Sequence, residues 1–360
     1  VEVDVDALRD RTGEILIGGV MEHVEEAGVH SGDSACALPP PTLGREVVGV
    51  LEAHTRSIAQ ELGVVGLVNV QYAVKDDRVY VLEANPRASR TVPFVAKATG
   101  VPLAKLAARL AVGDTLADLA SQGVYRPPVD GGQVDRGQVC VKEAVLPFSR
   151  FPGADSLLGP EMRSTGEVMG IDESFGLAFA KSQMAAGNPL PGSGTVLVSL
   201  ADRDKPAGLE VARRFAELGF SLAATSGTAA FLAAAGVPVD TVVAKVGADG
   251  DPTPGPSGHA GPSGHAGPGG PDSPSGVAED AVELLSGGKV QLVVNTPRGR
   301  GPRADGAHIR SAAAANKVPC CTTVAAARAA AVGIAEWRAH GLAVRSLQEI
   351  HAATQLRFRL

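Results

Sequence analysis

Residues 66–90 read GLVNVQYAVKDDRVYVLEANPRASR, and this stretch decides how the first third of the chain is read. Leu67–Val74 and Val79–Glu83 are rich in β-branched and aromatic residues, with a polar break at Lys75–Arg78. That pattern predicts two strands of a hairpin. Pairing symmetrically about Asp77 sets Gln71 opposite Glu83, and strand alternation returns Asn85 to the face of Glu83. One carboxylate and two amide oxygens then converge. These are hard donors of the kind that hold Mg²⁺, which usually takes one or two carboxylates plus the phosphates of a substrate. Arg87 and Arg90 follow at once, placed to clamp a phosphate or an anionic substrate. Asn85-Pro86 alone would be explained by a turn closing a half-buried hairpin. The Gln, Glu, Asn and two Arg together point to a site.

Working outward, Glu14–Val20 reads as a strand. Leu43–Leu62 reads as a helix entered after Pro41-Thr42 and stopped by Gly63, and Val101–Leu119 as an Ala/Leu-rich helical region. Glu2, Asp4 and Asp6 alternate along one strand, and a solvated face is the expectation for them. In EHVEEAGVHSGDS, residues 22–34, His30 sits among Gly28, Val29 and Ser31 in a turn whose free amides suit a nucleotide. Taken alone, a surface loop is the simpler reading. Residues 120–192 are mixed, with turn signals at Pro127-Pro128 and Pro147.

The pattern restarts at Gly194. Thr195–Leu200, Ser221–Ala224 and Val290–Val294 read as strands. Helices are expected after Asp204-Lys205-Pro206, with Asp204 as N-cap, after Thr225-Ser226-Gly227-Thr228, and over Ile309–Ala315 and Thr323–His340. Alternating strands and helices imply a parallel sheet covered on both faces. Residues 247–276 interrupt this pattern with 10 Gly and 7 Pro, and GPSGHA occurs twice, at 255–260 and 261–266. That composition predicts a flexible surface insertion, with His259 and His265 solvated rather than metal-bound.

With 33 Lys+Arg against 39 Asp+Glu, the 360-residue chain carries a net charge of −6. Sequence-independent nucleic-acid binding rests on Lys and Arg, so it is not expected. There is no apolar run of eighteen residues, hence no expected membrane span, and no secretory signal is apparent. Cys36, Cys140, Cys320 and Cys321 form no CxxC pair and are too sparse for a disulfide scaffold. They fit a reducing, cytoplasmic setting. The adjacent Cys320 and Cys321 read as packing rather than redox residues.

The strings EVDVDA, LIGGVMEHVEEAGVHSGDSACALP, GLVNVQYAVK, EANPRASRTVPFVAKATGVPLAK and LLGPEMRSTGEVMG resemble, in this order, the large subunit of carbamoyl-phosphate synthetase. The resemblance is to its second ATP-grasp half. Residues 193–360 are similar, through weaker motifs, to its methylglyoxal-synthase-like regulatory domain. The implied fold class is α/β. Residues 1–119 would be the C-terminal part of an α+β ATP-grasp domain, 120–192 its remainder and a connector, and 193–360 a doubly wound parallel-sheet domain.

The resemblance implies roles residue by residue. Gln71, Glu83 and Asn85 match ligands of Mg²⁺ or Mn²⁺ beside ATP. Arg87 matches a phosphate-side arginine, with Arg90 assisting. Gly28, Val29, His30 and Ser31 match the nucleotide-contacting segment, and Glu2 a ribose-binding acid. The implied reaction is phosphorylation of carbamate by ATP, which serves arginine and pyrimidine biosynthesis. The implied partners are a glutamine-hydrolysing small subunit and further copies in an oligomer of heterodimers. Lys205, Thr225, Thr228, Lys245 and Asn295 match residues that hold the phosphate of an allosteric nucleotide, UMP or IMP. Strand carboxyl ends are where open α/β sheets bind ligands. Glu25, Asp33, Glu143 and Leu146 match an ornithine site. Its other side falls at Cys320-Cys321-Thr322, where the pattern has an aromatic residue and an Asp. Pro297 likewise replaces a hydroxyl residue. The family's lid and first half lie upstream of the part matched, so a C-terminal portion that does not turn over alone is expected. The competing expectation is a nucleotide-sensing module carrying a vestigial ATP-grasp remnant. A biotin-carboxylase-like ligase is argued against by MRSTGEVMG and the domain that follows it.

Overall fold

The hairpin is present, and its turn is tighter than symmetry about Asp77 implies. In the computed structural model, which describes residues 1–128, 132–133, 137–151, 154–243, 280–297 and 305–357, strands β4 (Gly66–Lys75) and β5 (Arg78–Asn85) are joined by Asp76-Asp77 alone. Both residues have positive φ, 51° and 58°. That is the requirement of the two-residue turn whose twist matches paired strands, and Asp tolerates it through its short polar side chain. Lys75 therefore pairs with Arg78, and Tyr72 with Val81. A bulge at Leu82 then shifts the register by one, so Gln71 lies opposite Glu83 and Asn69 opposite Asn85. The expected Gln71–Glu83 pairing holds because the bulge corrects an even-numbered turn.

Five more strands complete an antiparallel sheet: β1 (Glu2–Arg9), β2 (Ile15–His23), β3 (Cys36–Leu38), β6 (Val139–Val145) and β7 (Gly166–Asp172). The order is β5-β4-β1-β2-β3-β6-β7. Helix α1 (Arg45–Glu61) covers one face through Leu51 and Ala59, against Val3, Val5, Val68 and Val70. Its buried Thr55 hydroxyl meets the Tyr72 hydroxyl at 2.8 Å. On the opposite face lie α2 (Val92–Thr99), α3 (Leu103–Ala111) and α4 (Leu116–Ser121). The expected single helical region 101–119 is thus two helices, parted at Gly113, whose φ is +107°. Leu103, Leu106 and Leu110 make the buried stripe of α3. Each such leucine contributes about 2 kcal/mol on burial. Thr115 caps α4 in a capping box with Asp118.

The second sheet is parallel, ordered β10-β9-β8-β11-β12. Its strands are β8 (Thr195–Ser199), β9 (Ser221–Thr225), β10 (Thr241–Val243), β11 (Leu292–Asn295) and β12 (Cys320–Cys321). Helices α6 (Lys205–Glu217), α7 (Ser226–Ala234), α8 (Ala281–Ser286), α9 (Asp305–Ala315) and α10 (Val324–His340) flank it, and α11 (Leu347–Arg357) ends the described chain. Asp204 is the N-cap of α6 by position, but its side chain makes no capping hydrogen bond. Lys245 and the 247–276 insertion lie outside the described residues.

Helix α5 (Phe175–Ala185) joins the two sheets. Ala178 and Phe179 share one buried cluster with Val141 of β6 and with Ala329 and Ala330 of α10. Gly170 of β7 lets α5 approach, since a Cβ there would lie 1.9 Å from the carbonyl oxygen of Ala178. A second tie is ionic. Arg310 of α9, whose side chain is 2% exposed, donates to both carboxylate oxygens of Asp155, at 2.7 and 2.6 Å. Among the described residues, no helix is long and apolar enough to cross a membrane.

Candidate functional site

Strand register assembles the first site on the α2–α4 face of the antiparallel sheet. Directly opposed residues share a face, so two polar rows cross it. One row is Glu83, Gln71, Asp4; the next is Asn85, Asn69, Asp6. Glu83 is exposed, and Gln71 and Asn85 are half-buried. The Asn85 amide donates to Glu83 at 2.8 Å, which confirms their common face. Arg87 and Arg90 are exposed in the loop that follows, and the Arg87 backbone N–H returns to the Asn85 carbonyl at 2.8 Å.

The expected solvated face of β1 is a misreading. Glu2, Asp4 and Asp6 are 4%, 0% and 0% exposed. β1 is a central strand, hydrogen-bonded on both edges, and its polar face is roofed by polar partners. Asp6 accepts from Asn69 at 2.9 Å, Ser89 at 2.8 Å and Thr91 at 2.6 Å. Burial pushes its carboxyl up to about 6. Asp4 meets the buried His23 ring at 3.0 Å. Burial opposes the charge on His23, but the Cys36 sulfur and the Asp4 carboxylate outweigh it and hold the imidazole well above its ordinary value. Glu2 accepts the Gly28 backbone N–H at 2.8 Å, so the acid and the loop assigned to the nucleotide do meet. Lys142 of β6, 1% exposed, supports the same loop by donating to the Ser31 carbonyl at 3.0 Å. His30 is held through its own backbone, with its N–H on the Gly159 carbonyl.

Asp4, Asp6, His23, Asn69, Ser89, Thr91 and Lys142 were not singled out from sequence as parts of this site. A signal existed for Asp4, Asp6 and Asn69. Asn69 and Gln71 alternate in β4 as Asp4 and Asp6 do in β1, and two polar alternations that pair in a sheet make a polar face.

Among the described residues, no cluster of three or more His, Cys, Asp or Glu side chains is arranged to hold a metal ion. The donor set Gln71, Glu83 and Asn85 suits Mg²⁺ on other grounds. It supplies one carboxylate and neutral oxygens, and leaves the remaining coordination to phosphates and water.

The second candidate site lies at the carboxyl ends of the parallel strands. Ser199 ends β8, Thr225 ends β9 and Asn295 ends β11, and Asn295 is opposite Ser199. The Thr225 hydroxyl reaches Ser199 at 3.5 Å and Thr228 at 3.2 Å. Thr228 is fully buried and accepts the Leu200 N–H at 3.0 Å. Lys205 opens α6 beside this row, paired with Asp202 at 2.8 Å. The buried Asn295 side-chain oxygen, Oδ1, accepts from Arg310 at 2.7 Å, which joins this site to the Asp155 tie. Four of the five expected residues are therefore brought to one sheet end. Lys245 is the fifth.

Between the two sheets is a cavity of about 510 Å³. Glu25, Asp33, Glu143 and Leu146 line one side and Cys320, Cys321 and Thr322 the other. Burial pushes Glu25 up to about 7. Burial and then the Glu25 charge push Glu143 up to about 8. Burial takes Cys320 to about 12 and raises Cys321 as well. Both thiols stay protonated near neutrality, in keeping with unreactive cysteines.

Residues 1–119 match the family described as carbamoyl-phosphate synthase L chain, ATP binding domain, and residues 207–322 match the MGS-like domain. Over 98% of its length the chain is 52% identical to the carbamoyl phosphate synthase large chain of Mycobacterium sp. (strain JLS). It is 53% identical, again over 98%, to that of Mycobacterium tuberculosis (strain ATCC 25618 / H37Rv). It is 51% identical, over 99%, to that of Micrococcus luteus. The chain spans about 30% of the length of each of these relatives. Among solved structures, the biotin carboxylase domain of a thermophilic 2-oxoglutarate carboxylase bound to bicarbonate aligns at TM-score 0.39 and 15% identity, covering 51% of this chain and 45% of that one.

An antiparallel sheet of the ATP-binding family, followed by a parallel MGS-like sheet, defines the class: an ATP-binding domain portion joined to an MGS-like domain. Within that class, the chain belongs to the carbamoyl-phosphate synthase large-chain family, of which it is a C-terminal portion.

Proposed function

We propose that residues 1–172 carry the acceptor side of a phosphoryl-transfer site that makes carbamoyl phosphate from carbamate and ATP. The observation that carries this reading is the pair of cross-strand rows that set Gln71, Glu83 and Asn85 on one face, with Arg87 and Arg90 in the loop beyond. Mg²⁺ or Mn²⁺ held by Gln71, Glu83 and Asn85 would neutralise the phosphates of ATP. The chain's own work is positioning, which dominates phosphoryl transfer because little covalent chemistry falls to protein groups. Glu2 orients the Gly28–Ser31 loop through the Gly28 N–H, so that the loop faces the nucleotide. Arg87 and Arg90 offer planar donors to the transferring phosphoryl group and to the carbamate. Ammonia for carbamate would come from a glutamine-hydrolysing small subunit, in a cytoplasmic assembly of such heterodimers.

We further propose that Lys205, Thr225, Thr228, Lys245 and Asn295 hold the phosphate of a regulatory nucleoside monophosphate. Free N–H groups at the start of α7 and the lysine charge support an anion there. The same arrangement in a chain that only senses nucleotides would leave the polar rows of the first sheet without a task.

The test uses the full-length large chain carrying these residues, with its small subunit. ATP formation from ADP and carbamoyl phosphate reports this half-reaction in reverse. Glu83→Gln should lower it by about 100-fold. An unchanged rate in that variant overturns the reading.

A further inference from the structure

Asp6 spends a fully buried carboxylate on a loop. Its Oδ1 accepts from Ser89 and Asn69 and its Oδ2 from Thr91, while Ser89 and Thr91 also contact each other at 2.7 Å. Ser89 and Thr91 bracket Arg90 and close the five-residue loop that begins at Pro86 and carries Arg87. Thr91 is the N-cap of α2, yet its hydroxyl makes no capping bond. It is turned to Asp6 instead, leaving the helix end without the usual side-chain acceptor. On its other side Asp6 grips Asn69, whose register partner is Asn85. A buried ionisable group costs free energy that a well-packed apolar residue does not. What this one gains is a fixed link from the central strand to the arginine loop and to the asparagine of the polar face.

We propose that Asp6 is the positioning residue of the phosphoryl-transfer site, tying the Pro86–Arg90 loop to β1 so that Arg87 and Arg90 stand over the Gln71–Glu83–Asn85 face. The assignment rests on the proposed carbamate phosphorylation, and it goes beyond the residues that touch substrate.

The experiment compares Asp6→Asn, Ser89→Ala, Arg87→Ala and the Asp6→Asn/Arg87→Ala double variant in the full-length large chain with its small subunit. ATP formation from ADP and carbamoyl phosphate is measured, together with backbone amide exchange over residues 87–91. Asp6→Asn should lower kcat by about 10- to 100-fold, with KM for ADP changed less than about threefold, because the arginines act on the transferring group. Ser89→Ala, which leaves the buried carboxylate in place, should lower kcat in the same direction and guards against a folding defect in Asp6→Asn. Exchange over 87–91 should quicken in both. In the Arg87→Ala background, Asp6→Asn should add less than about threefold, the mark of two residues acting through one element. Fully multiplicative losses overturn the proposal, as does an Asp6→Asn enzyme with normal kcat beside an impaired Arg87→Ala enzyme. A normal Arg87→Ala enzyme overturns the site reading itself and this proposal with it.

Discussion

The two candidate sites stand on sheets of opposite construction, and their residues are recruited by different rules. In the antiparallel sheet the polar groups stand on a face, two residues apart, and each is fixed by the strand beside it. In the parallel sheet they stand at strand ends, one per strand, and are fixed by the turns and helix starts that follow. A face can be buried whole, as β1 shows with three acids at or below 4% exposure. A strand end stays open to ligand but depends on what docks against it. Here that is Arg310, which touches Asn295 and the Asp155 segment at once. The first site is stiffened from beneath, the second from the side.

The largest expected effect tests the side support. Asp155→Ala leaves the Arg310 guanidinium buried without its counter-ion, and should cost about 3–5 kcal/mol in denaturant unfolding. Arg310→Met leaves a carboxylate that is 33% exposed and can hydrate. It should cost less, about 1–2 kcal/mol. The reverse order would show that the tie is not governed by the buried cation.

Next comes the floor of the first site. The Asp6 carboxyl titrates near 6 in the folded chain, against 3.8 for an unperturbed group. The native state therefore binds the proton more tightly than the unfolded state. The stabilisation this gives is complete below about pH 4 and is lost as pH rises through 6. Asp6→Asn lacks it. Stability of the unsubstituted chain minus that of Asp6→Asn should fall by up to about 3 kcal/mol between pH 4 and pH 7. A flat difference would mean that Asp6 is not buried as an acid.

The smallest stability effect should come from the second site. Lys205 pairs with an Asp202 side chain that is 79% exposed, and such pairs contribute about 0–1 kcal/mol. Lys205→Ala should barely move the unfolding midpoint, yet weaken UMP or IMP binding by about tenfold in calorimetry. Equal binding by both proteins would remove Lys205 from the anion site.

How much of this was legible in the sequence follows from the same contrast. The hairpin and the shared face of Gln71, Glu83 and Asn85 were readable because alternation along a strand is a local property. The strand ends at Thr225 and Asn295 were readable because apolar runs stop there. The burial of Asp4 and Asp6 was not. The Val-Asp-Val-Asp pattern looks the same on an edge strand facing water and on a central strand facing Asn69, His23 and Thr91. Only the strand order β4-β1-β2 separates the two cases. Short elements also escaped notice. β12 is two cysteines long, and nothing in Cys320-Cys321 alone announces a strand. The break at Gly113 within the 101–119 helical run escaped for another reason, since a glycine in an Ala/Leu-rich stretch is tolerated often enough to be passed over.

The hairpin also has a parity. Its turn uses two residues, which pairs Tyr72 with Val81, and the added Leu82 shifts the count by one before the polar rows begin. Were Leu82 to pair regularly with Gln71 instead of bulging out, Glu83 would fall opposite Val70 and Asn85 opposite Val68, on the apolar face beneath α1. Gln71, Asp4 and Asp6 would stay where they are. Loss of the bulge with Leu82 retained would thus split the polar set across the thickness of the sheet, whereas deletion of Leu82 itself would leave Glu83 opposite Gln71. In this part of the chain, the bulge fixes which face the polar residues share.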